Sequence, residues 1–407
     1  MDLIVLSVLL ILLIFIGVRE QKRNDENVEK IPLRVNVNGI RGKSTATRLI
    51  SAVLIEAGYK NIGKTTGTAP RFIYGNKTSK ELEIMRRPKG VSIIEQLGVI
   101  EKAANLRVDS LVCECMAVNP QLQQIYQEKM IKANIGVIVN VLEDHLDEMG
   151  PTMDQIALAF TSTIPYNGKV IISQQDVDYI DYFKKIAKER NTEVFVTDES
   201  EIPEGFLEKF KYVVFPNNVA IPLAFAKAVG IDKETALRGM LKANPDPGAL
   251  MVDRIEVDGK SSVFVNAFAA NEPASTLEIW NTINEMGYAE GMDRKPLVVF
   301  NARPDRVDRT KQFVDDCIPF ISDDLDLLAM GEVTSPLADG IKDGTMPNVD
   351  KYYDLEFSDA KALKNKIYEL MDGRVVFYIG NIHGVGEEFL EEIAEWYGEE
   401  RKPGIRL

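Results

Sequence analysis

Leu3 to Val18 is continuous apolar sequence apart from Ser7 and Gly17. At ~1.5 Å per residue a helix over this run reaches about 25 Å, slightly short of a ~30 Å hydrocarbon core. Asp2 leads it, and the basic residues Arg19, Lys22 and Arg23 follow it. A cleaved signal peptide would carry its positive charge before the apolar run. The observed order predicts a membrane anchor helix over residues 1–18, with the bulk of the chain on the cytoplasmic side. Arg19 to Lys30 is polar and charged, and residues 19–31 are expected to form a linker.

From Ile31 the pattern changes to apolar runs that alternate with helical periodicity. Arg34–Val37, Ser110–Cys113, Ile135–Val139, Lys169–Ile172 and Glu193–Val196 read as strands. Thr45–Ala57 and Ser92–Asn105 read as helices between them. Such alternation predicts a mostly parallel sheet covered by helices, and the nearly all-apolar Ile135–Val139 fits a strand buried on both faces. Asn244-Pro245-Asp246-Pro247-Gly248 marks a boundary. Beyond it Ser262–Asn266, Leu297–Asn301, Leu325–Ala329 and Val375–Ile379 read as strands. Pro273–Met286, Thr310–Ile318, Asp359–Met371 and Gly384–Trp396 read as helices, with Trp280 and Trp396 as core residues. The expected organisation is α/β throughout: an anchor helix, a central domain over 32–243 and a smaller Rossmann-like domain over 249–407. Two or three domains suit a length of 407 residues.

Charge and cysteine content narrow the function. A net charge of −14 with no basic stripe argues against nucleic acid as a partner. Three cysteines, Cys113, Cys115 and Cys317, make no disulfide framework and fit a reducing compartment. Cys113 and Cys115 flank Glu114 in an apolar run and read as core side chains on one face of a strand.

The strongest chemical signal is Asn38-Gly39-Ile40-Arg41-Gly42-Lys43-Ser44-Thr45, at the junction of a β-branched run and a helix. Two glycines let backbone N–H groups approach an anion, and the helix start aims its positive end at phosphate. Lys43 can reach the outer phosphates and the Ser44 hydroxyl can ligate Mg²⁺. Two later strand ends carry carboxylates or histidine. Glu114 closes an apolar strand, where a carboxylate is costly unless it meets a cation such as Mg²⁺. Asn140-Val141-Leu142-Glu143-Asp144-His145-Leu146-Asp147 follows Ile135–Val139 and holds one of the two histidines.

Together the G-x-x-G-K-[ST] loop, the strand-end Glu and the N-x-x-x-D-H-x-D segment resemble the Mur ligase family. That resemblance implies ATP and Mg²⁺. It gives Lys43 the phosphates, and Ser44, Glu114 and His145 the metal. Asn218 resembles the first Asn of the adenine-contacting N-x-x-N-x-x-A helix start, with Ile221 at the second Asn position. Arg254, in Asp253-Arg254-Ile255-Glu256, resembles a phosphate-contacting Arg, and Asn266 replaces the ribose-binding Asp. Asn301-Ala302-Arg303-Pro304-Asp305-Arg306 resembles the family's G-G-D-R segment. Near Ala159-Phe160 the family carries a carbamylated lysine; the chain has none, which leaves a second metal ion without its usual bridging ligand.

An apolar start that leads directly into the glycine loop has no place for a UDP-substrate domain. This layout resembles the ligase subunits of capsule-type poly-γ-glutamate synthases. The resemblance implies glutamate and nascent poly-γ-glutamate as substrates, small membrane-bound synthase subunits as partners, and the cell membrane as location. It leaves room for a homo-oligomer. Arg71, Arg86 and Arg87 are candidate partners for substrate carboxylates, although the Arg86-Arg87-Pro88-Lys89 run also reads as a solvated loop. A folylpolyglutamate-synthetase-like ligase and a membrane-bound P-loop ATPase subunit are the alternatives. His383, at a strand end in the second domain, reads as a helix cap or a catalytic group.

Overall fold

The computed structural model describes residues 2–66, 70–76, 78–84, 92–142, 146–210, 212–245, 250–268, 270 and 272–397. These form two compact units. Residues 2–210 and 214–245 make the first, 212–213 and 250–397 the second.

The first unit carries strands β1 (Leu33–Asn38), β2 (Asn61–Lys64), β3 (Arg71–Asn76), β4 (Thr78–Glu83), β5 (Ser110–Glu114), β6 (Ile135–Ile138), β7 (Lys169–Ile172) and β8 (Glu193–Val196). Their order is β4-β3-β2-β5-β1-β6-β7-β8. The six strands from β2 to β8 pair in parallel, and β3 and β4 extend the sheet as an antiparallel hairpin. In β1 the alternation separates two chemistries. Val35 and Val37 pack with Ala46, Ile50 and Leu54 of a helix over Lys43–Glu56. Asn36 and Asn38 donate to Gln127 and Gln123 at 3.0 and 2.9 Å. Because β1 lies between β5 and β6, the loop that follows it is flanked by the ends of both. This is the crevice where open parallel sheets collect ligands.

Residues 2–29 form one helix, α1 (Asp2–Glu29). The linker expected over residues 19–31 is therefore corrected. Its charged composition hides a stripe at Gln21, Asn24, Asn27 and Val28, spaced as one helix face. Asn24, Asn27 and Val28 are buried, with Val28 in a core that includes Val99, Ile100 and Ala103. The apolar run and its charged continuation are one element.

The second unit holds β9 (Met251–Val257), β10 (Lys260–Asn266), β11 (Leu297–Ala302), β12 (Leu325–Gly331), β13 (Val349–Glu356) and β14 (Val375–Gly380), ordered β13-β12-β11-β14-β10-β9. β9 is antiparallel to β10 and the other pairs are parallel. Trp280 packs in the core on one face of this sheet, and Trp396 borders the core on the other.

Candidate active site

The loop after β1 turns on two glycines, with φ +137° at Gly39 and +81° at Gly42. Asn140, beyond the end of β6, clamps it. Its Oδ1 accepts from the Ile40 and Arg41 N–H groups at 3.0 and 3.1 Å, and its Nδ2 donates to the Arg41 carbonyl at 2.9 Å. Asn38 Oδ1 accepts from the Gly39 N–H at 2.9 Å. The next helix, α2 (Lys43–Glu56), starts at once, with no side-chain cap at Gly42. The first N–H groups of α2, from Lys43, Ser44 and Thr45, lack partners within the helix and suit an anion.

Gly42 admits no larger residue at low cost. A Cβ there would lie 2.9 Å from Asn218 Nδ2, at the start of the helix Pro216–Val229, and would need a left-handed backbone. Gly42→Ala is expected to weaken ATP binding about tenfold or more, through strain of ~1–3 kcal/mol in the loop. Titration with a fluorescent ATP analogue reads this directly, and wild-type affinity would contradict it.

The Lys43 ammonium curls back over the loop and donates to the Gly39 and Ile40 carbonyls at 2.9 and 2.8 Å. Beside it the Ser44 hydroxyl donates to Glu114 Oε2 at 2.8 Å, and the Thr66 N–H donates to the same oxygen at 2.6 Å. Glu114 is only 4% exposed. Three sequence candidates thus meet at the ends of β1 and β5. The oxygens of Ser44 and Glu114 are hard donors within reach of one ion, and they fit Mg²⁺, which takes few protein ligands and keeps its water and phosphate oxygens. Among the described residues no cluster of three or more His, Cys, Asp or Glu suits a metal. His145, Arg86 and Arg87 lie outside the described residues. Ala159 and Phe160 are buried in the helix Met153–Phe160, with Phe160 in a core that includes Ile138, Val170 and Ile172.

Arg71 opens β3, where its N–H donates to Thr65 Oγ1 at 3.1 Å. A cavity of about 480 Å³ opens beyond β5, lined by Ile93, Ile94, Met116, Asn119, Leu122 and Glu148. Among the described residues its lining is mostly apolar, with one carboxylate, Glu148. In the second unit Arg254 Nη2 donates to the Glu290 carbonyl at 3.0 Å and Asn266 Oδ1 accepts from the Phe268 N–H at 3.2 Å. Asn301 ties the ends of β11 and β14 together by donating to the Asn381 and His383 carbonyls. The exposed His383 ring meets Glu387 at 2.6 Å, one turn into the following helix.

Three residues near the loop carry roles that no motif announced. Lys64, fully buried at the end of β2, pairs with Glu95 at 2.6 Å. Asn217 donates to the Val139 carbonyl and accepts from Ser173 Oγ. Asp176 is 6% exposed; its Oδ1 accepts from the Val141 N–H at 2.8 Å. Burial pushes its carboxyl up to about 6 from an ordinary 3.8. The folded value lies above the unfolded one, so the stability this carboxyl contributes falls as pH rises through that interval. Asp176→Asn keeps the acceptor for Val141. It is expected to stabilise the chain by on the order of 1–2 kcal/mol at about pH 8 and by little at about pH 4. Thermal melts at the two pH values test this, and equal shifts would contradict it. Burial likewise pushes the Cys113 and Cys115 thiols up to about 11 and about 12, so both stay neutral and pack as small apolar groups.

This fold and loop define the chain as a Mur-type ligase unit. Residues 37–239 match the Mur ligase middle domain, and residues 252–396 match the poly-gamma-glutamate synthase CapB C-terminal domain. The chain is 48% identical over 391 residues to the capsule biosynthesis protein CapB of Bacillus anthracis, covering 96% of this chain and 82% of that protein. It is 47% identical over 384 residues to the PGA synthase CapB of Bacillus subtilis (strain 168), covering 94% and 96%. A folylpolyglutamate synthase structure from Thermotoga maritima shares the fold, with TM-score 0.58 and 13% identity over 91% of this chain and 93% of that one. The chain belongs to the CapB family of poly-γ-glutamate synthases.

Proposed function

We propose that the chain is the ATP-dependent amide ligase of a poly-γ-glutamate synthase, and that it acts at the membrane. The observation that carries this reading is the meeting of Ser44, Glu114 and Lys43 at the centre of the first sheet, beside a loop built for phosphate. A carboxylate is a poor electrophile, because its charge is delocalised and its oxygen leaves badly. Transfer of the γ-phosphoryl of ATP to a γ-carboxylate oxygen forms an acyl phosphate and releases ADP. The amine of a second glutamate attacks that carbonyl, the C–O bond to phosphate breaks, and the amide, phosphate and a proton result.

Such transfer asks the protein for position and charge neutralisation more than for covalent chemistry. Asn140 fixes the loop, Lys43 balances charge on the outer phosphates, and the α2 N–H groups hold their oxygens. Ser44 and Glu114, with His145, would hold Mg²⁺, which would supply further neutralisation of phosphate charge. Asn218 borders Gly42 and suits a nucleotide contact. Arg254 and Asn266 join the nucleotide-binding set, and Arg71 the substrate set, on their match to the family pattern or their place in the sequence.

The exposed apolar half of α1 supports a bilayer location, and small membrane-bound subunits are the expected partners. The test incubates membranes that hold the full chain with ATP, Mg²⁺ and D- or L-glutamate. ADP release that requires glutamate supports the reading. Turnover indifferent to glutamate favours a P-loop ATPase subunit instead.

A further inference from the structure

We propose that α1 is a rigid strut that holds the first unit in one orientation on the bilayer, with the phosphate-loop edge of its sheet turned toward the lipid. The proposal rests on the membrane reading above and adds a geometry to it.

Two observations make α1 a strut. Its helix is continuous from Asp2 to Glu29, with no proline, and it stays unbroken through the one glycine, Gly17, that lies where the apolar half ends. Its lower half is bolted to the unit. The buried Asn24 side chain donates to the Lys129 and Met130 carbonyls at 3.1 and 2.8 Å. Gln21 donates to the Lys129 carbonyl, Asp25 pairs with Lys132 at 2.8 Å, and Arg23 pairs with Glu101. A tether would leave these residues solvated.

The register of these contacts gives the direction. The segment Tyr126–Ile131, which continues a helix over Pro120–Ile125, descends the sheet. Gln123 meets Asn38 at the carboxyl end of β1, Gln127 meets Asn36, and Asn134 meets Arg34. Gln21, Asn24 and Asp25 meet Lys129, Met130 and Lys132 in the same order, so α1 descends as well. The helix α3 (Glu95–Asn105) agrees. Glu95 meets Lys64 at the carboxyl end of β2, and Glu101, paired with Arg23, lies two turns lower. Followed back toward its N-terminus, α1 therefore climbs toward the edge that carries Lys43, Ser44 and Glu114. It extends ~28 Å beyond Gln21, which bonds to the unit at Lys129.

The part that extends beyond is suited to lipid. Large apolar side chains from Ile4 to Val18 are each at least 51% exposed, on every face of the helix. A helix apolar all round is a membrane span rather than one side of an interface. Arg19, Lys22 and Arg23 sit where the headgroups would begin. The occupant is the bilayer, and the reaction it faces is the one that makes the polymer.

The test uses the full chain in phosphatidylcholine–phosphatidylglycerol liposomes with acceptor dye on the headgroups. A donor dye is placed through Gln121→Cys, at the phosphate-loop edge, or through Leu106→Cys, at the opposite end of α3. The native cysteines are buried. Energy transfer is expected to be higher from position 121 than from 106, since the two differ in height by at least the ~16 Å length of α3. A Gly-Ser-Gly-Ser insertion between Val18 and Arg19 is expected to erase the difference while liposome flotation persists. Flotation with equal or reversed transfer in the uninterrupted chain overturns the strut and leaves the anchor standing. Failure to float overturns the anchor and the strut with it, as does flotation only with membranes that contain other proteins.

Discussion

Lys43→Ala is expected to lower glutamate-dependent ADP release by ~10²–10³-fold or more, the scale on which removal of one charge-stabilising group acts. The ammonium is held by two carbonyls of its own loop, and among the described residues no carboxylate pairs with it. Its charge is thus available to phosphate. The change deletes two hydrogen bonds at a partly open site, which costs stability ~1–3 kcal/mol at most. Loss of turnover in a chain that still melts cooperatively would place the effect on catalysis. Wild-type turnover would remove the loop from the mechanism.

Glu114→Gln is the second large effect. The carboxylate is buried, accepts from Ser44 and Thr66 through one oxygen, and is a metal ligand in the proposed mechanism. Glutamine keeps an acceptor for those two donors but removes the charge. The rate at saturating ATP is expected to fall about 10²-fold, and half-maximal activity to need more Mg²⁺. Because a buried charge is replaced by a neutral isostere, the melting temperature is expected to hold or rise. An unchanged Mg²⁺ titration would take Glu114 out of the metal site.

The centre of each sheet was legible because buried parallel strands are written in β-branched and apolar residues. Lys169–Ile172 stands where the pattern put it, and Leu297–Asn301 and Val375–Ile379 each run one residue longer than expected. The periphery was not. β4 (Thr78–Glu83) and β13 (Val349–Glu356) are edge strands, rich in polar residues that face water. The docked half of α1 was misread because its charges outnumber its contacts. The phosphate loop and Glu114 were legible as candidates because each sits next to a strand end within one local motif, whereas the clamp of Asn140 on the loop was not. Lys64 with Glu95 and Asp176 with Val141 were not, because only the folded sheet brings those residues together. The carboxyl of Asp176 is perturbed by surroundings that no local pattern specifies.

The central claim is that ATP activates the γ-carboxylate by γ-phosphoryl transfer, and isotope transfer tests it most directly. Glutamate labelled with ¹⁸O in its γ-carboxylate is supplied to membranes that hold the chain, with unlabelled ATP and Mg²⁺, and the phosphorus products are analysed by mass. The account predicts ADP together with inorganic phosphate that carries one ¹⁸O atom. Label in AMP, with pyrophosphate released, would contradict it.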